Sequence, residues 1–307
     1  MFDYKLNTPV AFFIFRRPET TARVFETIRQ VQPPKLLVVA DGANPDRPGE
    51  AELCDQTKDI INQVDWDCEV LTNYAPQNLG CRARVSSGLD WVFAEVEEAI
   101  ILEDDCLPDL SFYPFAEELL NRYRHDTRIF SITGQNVQLG QQQGDYSYYF
   151  SRYTHCWTWA SWRRAWQHYD LSMKLWPEVC DLHLLADILG DRQTLKVWQQ
   201  TFQMCYEEKL NTWDFQWTFA NFLQNGLNIV SQKNLVTNIG FGAGGTNTFD
   251  ADSSYSNMTT SAVDFPLKHP PFVIRDVRAD QFTQDTLYDY APPLDKRIYR
   301  QLKKLIS

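Results

Sequence analysis

Short apolar runs alternate with longer amphipathic stretches through the first half of the chain. Runs over residues 10–15, 36–40, 69–71, 99–102 and 129–132 read as strands, being mostly Val, Ile, Leu and Phe and bounded by charged or turn-forming residues. Apolar positions at helical spacing over 19–31, 50–64, 82–96 and 112–123 predict helices between them. This alternation predicts an α/β fold, a doubly wound, mostly parallel sheet flanked by helices. Ligands of such sheets sit outside the carboxyl ends of the strands, so the residues following each run are where chemistry is expected.

Those residues are polar. Arg16-Arg17 follow the first run, Asp41-Gly42 the second, Asn73 and Asn78-Leu79-Gly80 the third, and Glu103-Asp104-Asp105 the fourth. Beyond residue 145 the texture changes to aromatic-rich segments that read as helices, among them Tyr153-Thr154-His155-Cys156-Trp157-Thr158-Trp159 and Trp213-Asp214-Phe215-Gln216-Trp217. A glycine-rich loop over 240–245 and a tail rich in proline and aspartate follow.

Composition narrows the function classes. A chain of 307 residues, 44% of them apolar, can bury a large core. Its formal charge of -11 repels polyanions, so nucleic acid is not expected as a partner, and any phosphate-bearing ligand must meet locally placed positive charge. Seven cysteines stand singly with no C-x-x-C pair, which argues against a zinc site or a disulfide framework and suits a reducing cytoplasm. The apolar stretch 9–15 runs directly into Arg16-Arg17-Pro18 without a small-residue cleavage pattern, so it reads as a buried strand rather than a leader. No segment has the length needed to cross a bilayer.

Three adjacent carboxylates at a strand end repel one another unless a cation or hydrogen-bond donors offset them. Oxygen ligands favour Mg2+ or Mn2+, which take one or two protein carboxylates and complete their shell with phosphates and water. The triplet reads equally as a solvated acidic turn before the helix near Ser111. Arg17 is either a fork for phosphate oxygens or a surface arginine before Pro18 at a helix start. Asp41-Gly42 is either a ligand contact or an ordinary turn. Arg82 and Arg84, on the first turn of the helix after Gly80, are phosphate candidates or exposed helical arginines. Asp214 is a helix N-cap or a buried functional acid, and Trp213 offers a flat face to a sugar ring or belongs to the core. The histidines at 125, 155, 168 and 183 have no ligand-like spacing. There is no G-x-S-x-G elbow, P-loop or G-x-G-x-x-G after a strand, so the usual hydrolase, kinase and dehydrogenase readings lack their parts.

The segments Phe15-Arg16-Arg17-Pro18, Val39-Ala40-Asp41-Gly42, Asn78-Leu79-Gly80, Leu102-Glu103-Asp104-Asp105, His155-Cys156-Trp157-Thr158-Trp159, Thr212-Trp213-Asp214 and Asn238-Ile239-Gly240-Phe241-Gly242 stand in a common order. That order resembles the GT-A (Rossmann-like) glycosyltransferases, most closely the inverting N-acetylglucosaminyltransferase I type and related bacterial nucleotide-diphospho-sugar transferases. The resemblance implies metal-dependent transfer, with inversion, of a sugar from a nucleotide-diphosphate donor, uridine favoured as its base, to a hydroxyl of a glycan or glycolipid acceptor. It implies Arg17 as a nucleotide contact, Asp41 as the reader of the base, Asp105 as the direct ligand of Mn2+ or Mg2+, Asp104 as a ribose-side residue, Glu103 and Trp213 as sugar contacts, and Asp214 as the catalytic base. Residues 1–150 would then form the nucleotide-sugar half and 151–265 the acceptor side of the same domain, with 266–307 as a tail. The helix-rich stretch between 160 and 212 is longer than the family pattern.

Two rivals remain. A sugar-nucleotide nucleotidyltransferase would be expected to open with a glycine-rich basic loop after the first strand, yet Phe15-Arg16-Arg17-Pro18-Glu19 has no glycine. A non-catalytic carbohydrate- or nucleotide-binding module would use the aromatics for glycan and the triplet for a structural ion. The glycine-rich loop reads as a lid over a donor or as a long flexible turn. In the tail, Ile298, Leu302, Leu305 and Ile306 share a helical face with basic residues around them, which suits either a helix docked on the domain or peripheral contact with the inner face of a membrane through 295–307.

Overall fold

The computed structural model describes residues 4–240 and 258–288. The first half carries the expected alternation: strands β1 (Val10–Ile14), β2 (Lys35–Ala40), β3 (Glu69–Tyr74) and β4 (Glu98–Glu103), with helices α1 (Pro18–Val31), α2 (Glu50–Asp59) and α3 (Gly80–Glu95) between them. A short strand β5 (Cys106–Pro108), helix α4 (Phe112–Tyr123) and strand β6 (Ile129–Thr133) follow. The helix expected over 50–64 gives way after Asp59 to a tight 3-10 turn, Ile60–Gln63.

The later half departs from the helical expectation at three places. Strands β7 (Tyr148–Ser151), β8 (Trp159–Trp162) and β9 (Leu227–Ser231) complete an eight-stranded sheet of order β3-β2-β1-β4-β8-β6-β9-β7. β8 runs antiparallel between β4 and β6, and β7 antiparallel to β9, while the other neighbours pair parallel. The aromatic segment ending at Trp159 is therefore a loop entering a strand. All four residues of β8 are buried, so the strand shows none of the apolar–polar alternation that would mark it in the sequence. The rest of this half is helix-rich as expected: α5 (Arg163–Trp166), α6 (Trp176–Asp181), α7 (Leu184–Leu189), α8 (Arg192–Tyr206) and α9 (Asp214–Leu223). A last strand, β10 (Val236–Asn238), pairs antiparallel with β5, and α10 (Val277–Thr283) follows.

Burial on both sheet faces explains the continuous apolar character of β1. Val10, Phe12 and Ile14 pack with Val24, Phe25 and Ile28 of α1 and Leu119 and Leu120 of α4. Ala11 and Phe13 point the other way, to Leu89 and Val92 of α3 and Trp217 of α9. A third cluster, built on Trp176, Trp198, Phe202 and Phe219, binds α6, α8 and α9 together, with Tyr153 stacked on Trp198 at 5.7 Å. Residues after 258 return to the sheet: the Ser151 hydroxyl donates to Asp280 of α10 at 2.6 Å, and the Gln138 amide reaches Thr283 at 2.9 Å. Among the described residues no helix is long and apolar enough to cross a membrane. The expected lid beyond Gly240 and the basic helix of 295–307 lie outside the described residues.

Candidate active site

The carboxyl ends of β1, β2 and β4 and the start of α9 surround a cleft of about 580 Å³. Register places its floor. Phe13 pairs with Glu103 across β1 and β4, so the chain leaving β1 runs beside the turn at Asp104-Asp105, and Phe15 donates its amide to Asp104 at 3.0 Å. Pairing of Asn238 with Cys106 brings β10 over the same turn, where the Ile239 amide donates to the Asp105 carbonyl at 2.7 Å. Only a glycine fits next: a Cβ at Gly240 would lie 2.3 Å from Oδ2 of Asp105 and 2.7 Å from Nη1 of Arg17.

Arg17 spans the acidic pair, with Nη2 2.6 Å from Oδ1 of Asp104 and Nη1 2.6 Å from Oδ2 of Asp105. Burial opposes its charge, but Asp104 and Asp105 together push the guanidinium pKa up. The second Asp105 oxygen, Oδ1, faces the Cys106 thiol at 3.4 Å, a weak donor. Burial, then the charges of Asp105 and Asp104, raise the Glu103 carboxyl well above the ordinary range, and Asp214 adds to the effect. Burial likewise lifts Asp104, against the pull of Arg17.

Asp214 enters the same cleft from α9. It is the first residue of that helix, and Trp213 holds the N-cap position without a side-chain cap, so Asp214 is not the capping residue. Its carboxylate accepts the hydroxyl of Thr212. Burial raises its pKa, partly countered by that hydroxyl and by the first backbone amides of the helix. Trp213 lines the cleft but is buried, stacked on Trp159 at 5.8 Å, so most of its ring belongs to the core.

The opposite lip of the fold is organised by Asp41. Its Oδ1 accepts the amides of Gly42 and Leu79, and its Oδ2 accepts the Gly80 amide at 3.0 Å and the Asn78 side chain at 3.2 Å. The carboxylate thus ties the loop before α3 to the end of β2. Gly42 is required there, since a Cβ would meet the Gln77 backbone at 2.4 Å. Arg84 lines the cleft and is fastened to the Ala40 carbonyl at 3.0 Å and to Asn73. Arg82, two residues earlier, points elsewhere: it donates to the Leu171 carbonyl and pairs with Glu208, and it does not line the cleft. That departs from its expected place at a phosphate, because α3 presents Arg82 to the helix-rich region.

A further cluster on the cleft wall was not foreseen from the sequence. Glu50, buried at the start of α2, accepts from Arg16, from Arg47 at 3.4 Å and from the Asn44 amide at 2.8 Å. Arg16, Arg47 and Asn44 all line the cleft. Residues 43–49 carry no periodicity and read as a plain loop; the post-strand position of Arg16 was the one available signal.

No protein-family profile matches the chain, and no curated protein matches it. Among solved structures it is similar to HddC from Yersinia pseudotuberculosis at 9% identity, over 51% of this chain and 77% of that one, with a TM-score of 0.31. It is similar to a UDP-glucose pyrophosphorylase complexed with UDP-glucose at 10% identity, over 75% of this chain and 93% of that one, with a TM-score of 0.37. Mouse xyloside xylosyltransferase 1 is similar at 11% identity, over 69% and 81% of the two chains, with a TM-score of 0.33. Likeness at this level assigns neither an activity nor a substrate.

Among the described residues no group of three or more His, Cys, Asp or Glu side chains is disposed to hold a metal ion. The donor chemistry still suits a divalent cation that brings most of its shell with it. Glu103, Asp104, Asp105 and Asp214 share the cleft, and among the described residues the fork of Arg17 is what offsets the charge of Asp104 and Asp105 at its floor.

Proposed function

We propose that this protein is a glycosyltransferase that moves a sugar from a nucleotide-diphosphate donor, a uridine diphosphate sugar by family resemblance, to an acceptor hydroxyl of a glycan or glycolipid. The observation that carries the reading is that Asp214, from a separate element 109 positions or more away along the chain from the triplet, lines the same cleft as Glu103, Asp104 and Asp105. A nucleotide diphosphate with its sugar needs an acidic, cation-compatible floor and a base close by; this cleft supplies both.

Asp105 is the residue that would hold Mn2+ or Mg2+, and when bound the cation neutralises charge on the departing diphosphate. Asp104 and Glu103 flank the donor on the ribose and sugar sides. Asp41 holds the 78–80 loop and the end of β2 as a fixed wall at the nucleotide end. Asp214 takes the proton of the acceptor hydroxyl as the new bond forms, and its raised pKa makes it a stronger base than a solvated aspartate. One base and one direct displacement give inversion. The half-buried Trp157 and Phe215 border the cleft near Asp214 and offer apolar surface to an acceptor.

A panel of nucleotide sugars incubated with Mn2+ tests the reading. Release of nucleoside diphosphate, quickened by acceptor and lost in Asp214→Asn, supports it. Pyrophosphate formed from sugar phosphate and nucleoside triphosphate would instead make the protein a nucleotidyltransferase, and binding without turnover a binding module.

A further inference from the structure

Arg17 is a cation already seated on the carboxylate that the proposed function gives to the metal. Its two terminal nitrogens are each 2.6 Å from a carboxylate oxygen, one on Asp104 and one on Asp105. The Asp104 and Asp105 side chains are 3% and 9% exposed, so water does little to screen the contact. The chain at Gly240 passes close on that side, where even an added Cβ would lie 2.3 Å from Oδ2 of Asp105 and 2.7 Å from Nη1 of Arg17. A dication on Oδ2 of Asp105 would have to share one small volume with the guanidinium; on Oδ1, which already faces the Cys106 thiol at 3.4 Å, it would still stand across the same carboxylate from Nη1, and like charges at that range repel strongly.

From this we infer that Arg17 is a latch: it neutralises Asp104 and Asp105 while the cleft is empty, and it must transfer its fork to the donor's diphosphate before Asp105 can take a divalent cation. The inference rests on the proposed function for the identity of the cation and of the diphosphate. Arg17 suits both positions. Its planar fork matches two phosphate oxygens as well as it matches two carboxylates, and it lines the cleft rather than the core. Cation and diphosphate binding are then coupled through one side chain, and the coupling is reciprocal. Metal alone meets a closed site. Metal with diphosphate meets an open one, with Arg17 paired to phosphate and Asp105 free.

Mn2+ binding by the full chain, followed by electron paramagnetic resonance with and without UDP and needing no turnover, tests this. In the wild type UDP should tighten Mn2+ binding by at least about tenfold, within the usual range of coupling between sites. Arg17→Gln removes the charge and should bind Mn2+ alone at least about tenfold more tightly than the wild type, with the UDP enhancement cut to about threefold or less. Arg17→Lys keeps the charge but cannot span two carboxylates, and should lie between. It decides the matter if the glutamine variant fails to fold: a gain in Mn2+ affinity without UDP supports the latch, and no gain overturns it. Arg17→Gln binding Mn2+ alone no better than the wild type, or keeping the full UDP enhancement, also overturns it. If the wild type binds no Mn2+ even with UDP, the metal-dependent reading of the cleft fails instead.

Discussion

His155 should make the fold sensitive to mild acid. Its imidazole is 4% exposed, and Nε2 finds no hydrogen-bond partner among the described residues. Burial alone pushes its pKa down to about 4 from an ordinary 6.5. Between those values the unfolded chain binds a proton that the folded chain refuses, so stability rises with pH through the window and is lost as pH falls from 6.5 towards 4. At about 1.4 kcal/mol per pKa unit the loss amounts to about 3 kcal/mol by pH 4, of the order of a quarter to a half of a typical domain's stability. His155→Phe keeps an aromatic ring and removes the titrating group; with no bond to Nε2 to forfeit, its cost at neutral pH is one of fit. Urea denaturation of both proteins at pH 4.5, 5.5 and 7 provides the assay. The difference in unfolding free energy should move in favour of the variant by 2 to 3 kcal/mol, on the order set by that shift, as pH drops. Parallel pH profiles would refute the reasoning, since other titrating groups cancel in the difference.

Asp280 should act with the opposite sign: burial pushes its carboxyl up to about 6, so the folded state holds a proton the unfolded state has lost, and stability falls as pH rises from 4 to 6. Asp280→Asn should flatten that slope in the same urea series, and an unchanged slope counts against the assignment. Asp214→Asn should cut turnover by about 10²- to 10⁴-fold while UDP binding, read by calorimetry, is kept; near-normal transfer removes Asp214 as the base. Gly88→Ala would place a Cβ 2.6 Å from Val39 and 2.7 Å from Phe13, wedging α3 off the sheet, and should cost about 1 to 3 kcal/mol in thermal or urea unfolding. Gly42→Ala strikes the Gln77 backbone at 2.4 Å and should weaken UDP binding more than it lowers stability.

The parts of the molecule that were legible in the sequence are those set by local pattern. β1, β2 and β4 are buried on both faces and announce themselves as continuous apolar runs, and the acidic triplet is found because it follows one of them. β8 is equally buried, but four residues containing two tryptophans have no period from which strand and helix can be told apart. Arg82 and Arg84 make the sharper case. Both stand near the start of α3, two positions and roughly 200° apart around the helix, so no local rule says which one meets the cleft. The sheet decides: Arg84 is drawn in to the carbonyls of Ala40 and Asn73, while Arg82 faces Glu208.

Charge compensation was hidden for the same reason. The sequence shows three adjacent acids and asks for a cation, and a metal is one answer; Arg17, 87 positions from Asp104, is another that only the pairing of β1 with β4 brings within 2.6 Å. The two answers differ in consequence. A permanent guanidinium on Asp104 and Asp105 makes the floor a stable structural ion pair, whereas one that leaves for a diphosphate makes it a site whose acidity appears only when the ligand does. The Glu103 carboxyl is raised first by burial and then by the same two aspartates, and Arg17 in its present place pulls against that rise, so its departure for a diphosphate would leave Glu103 as well as the pair without that pull.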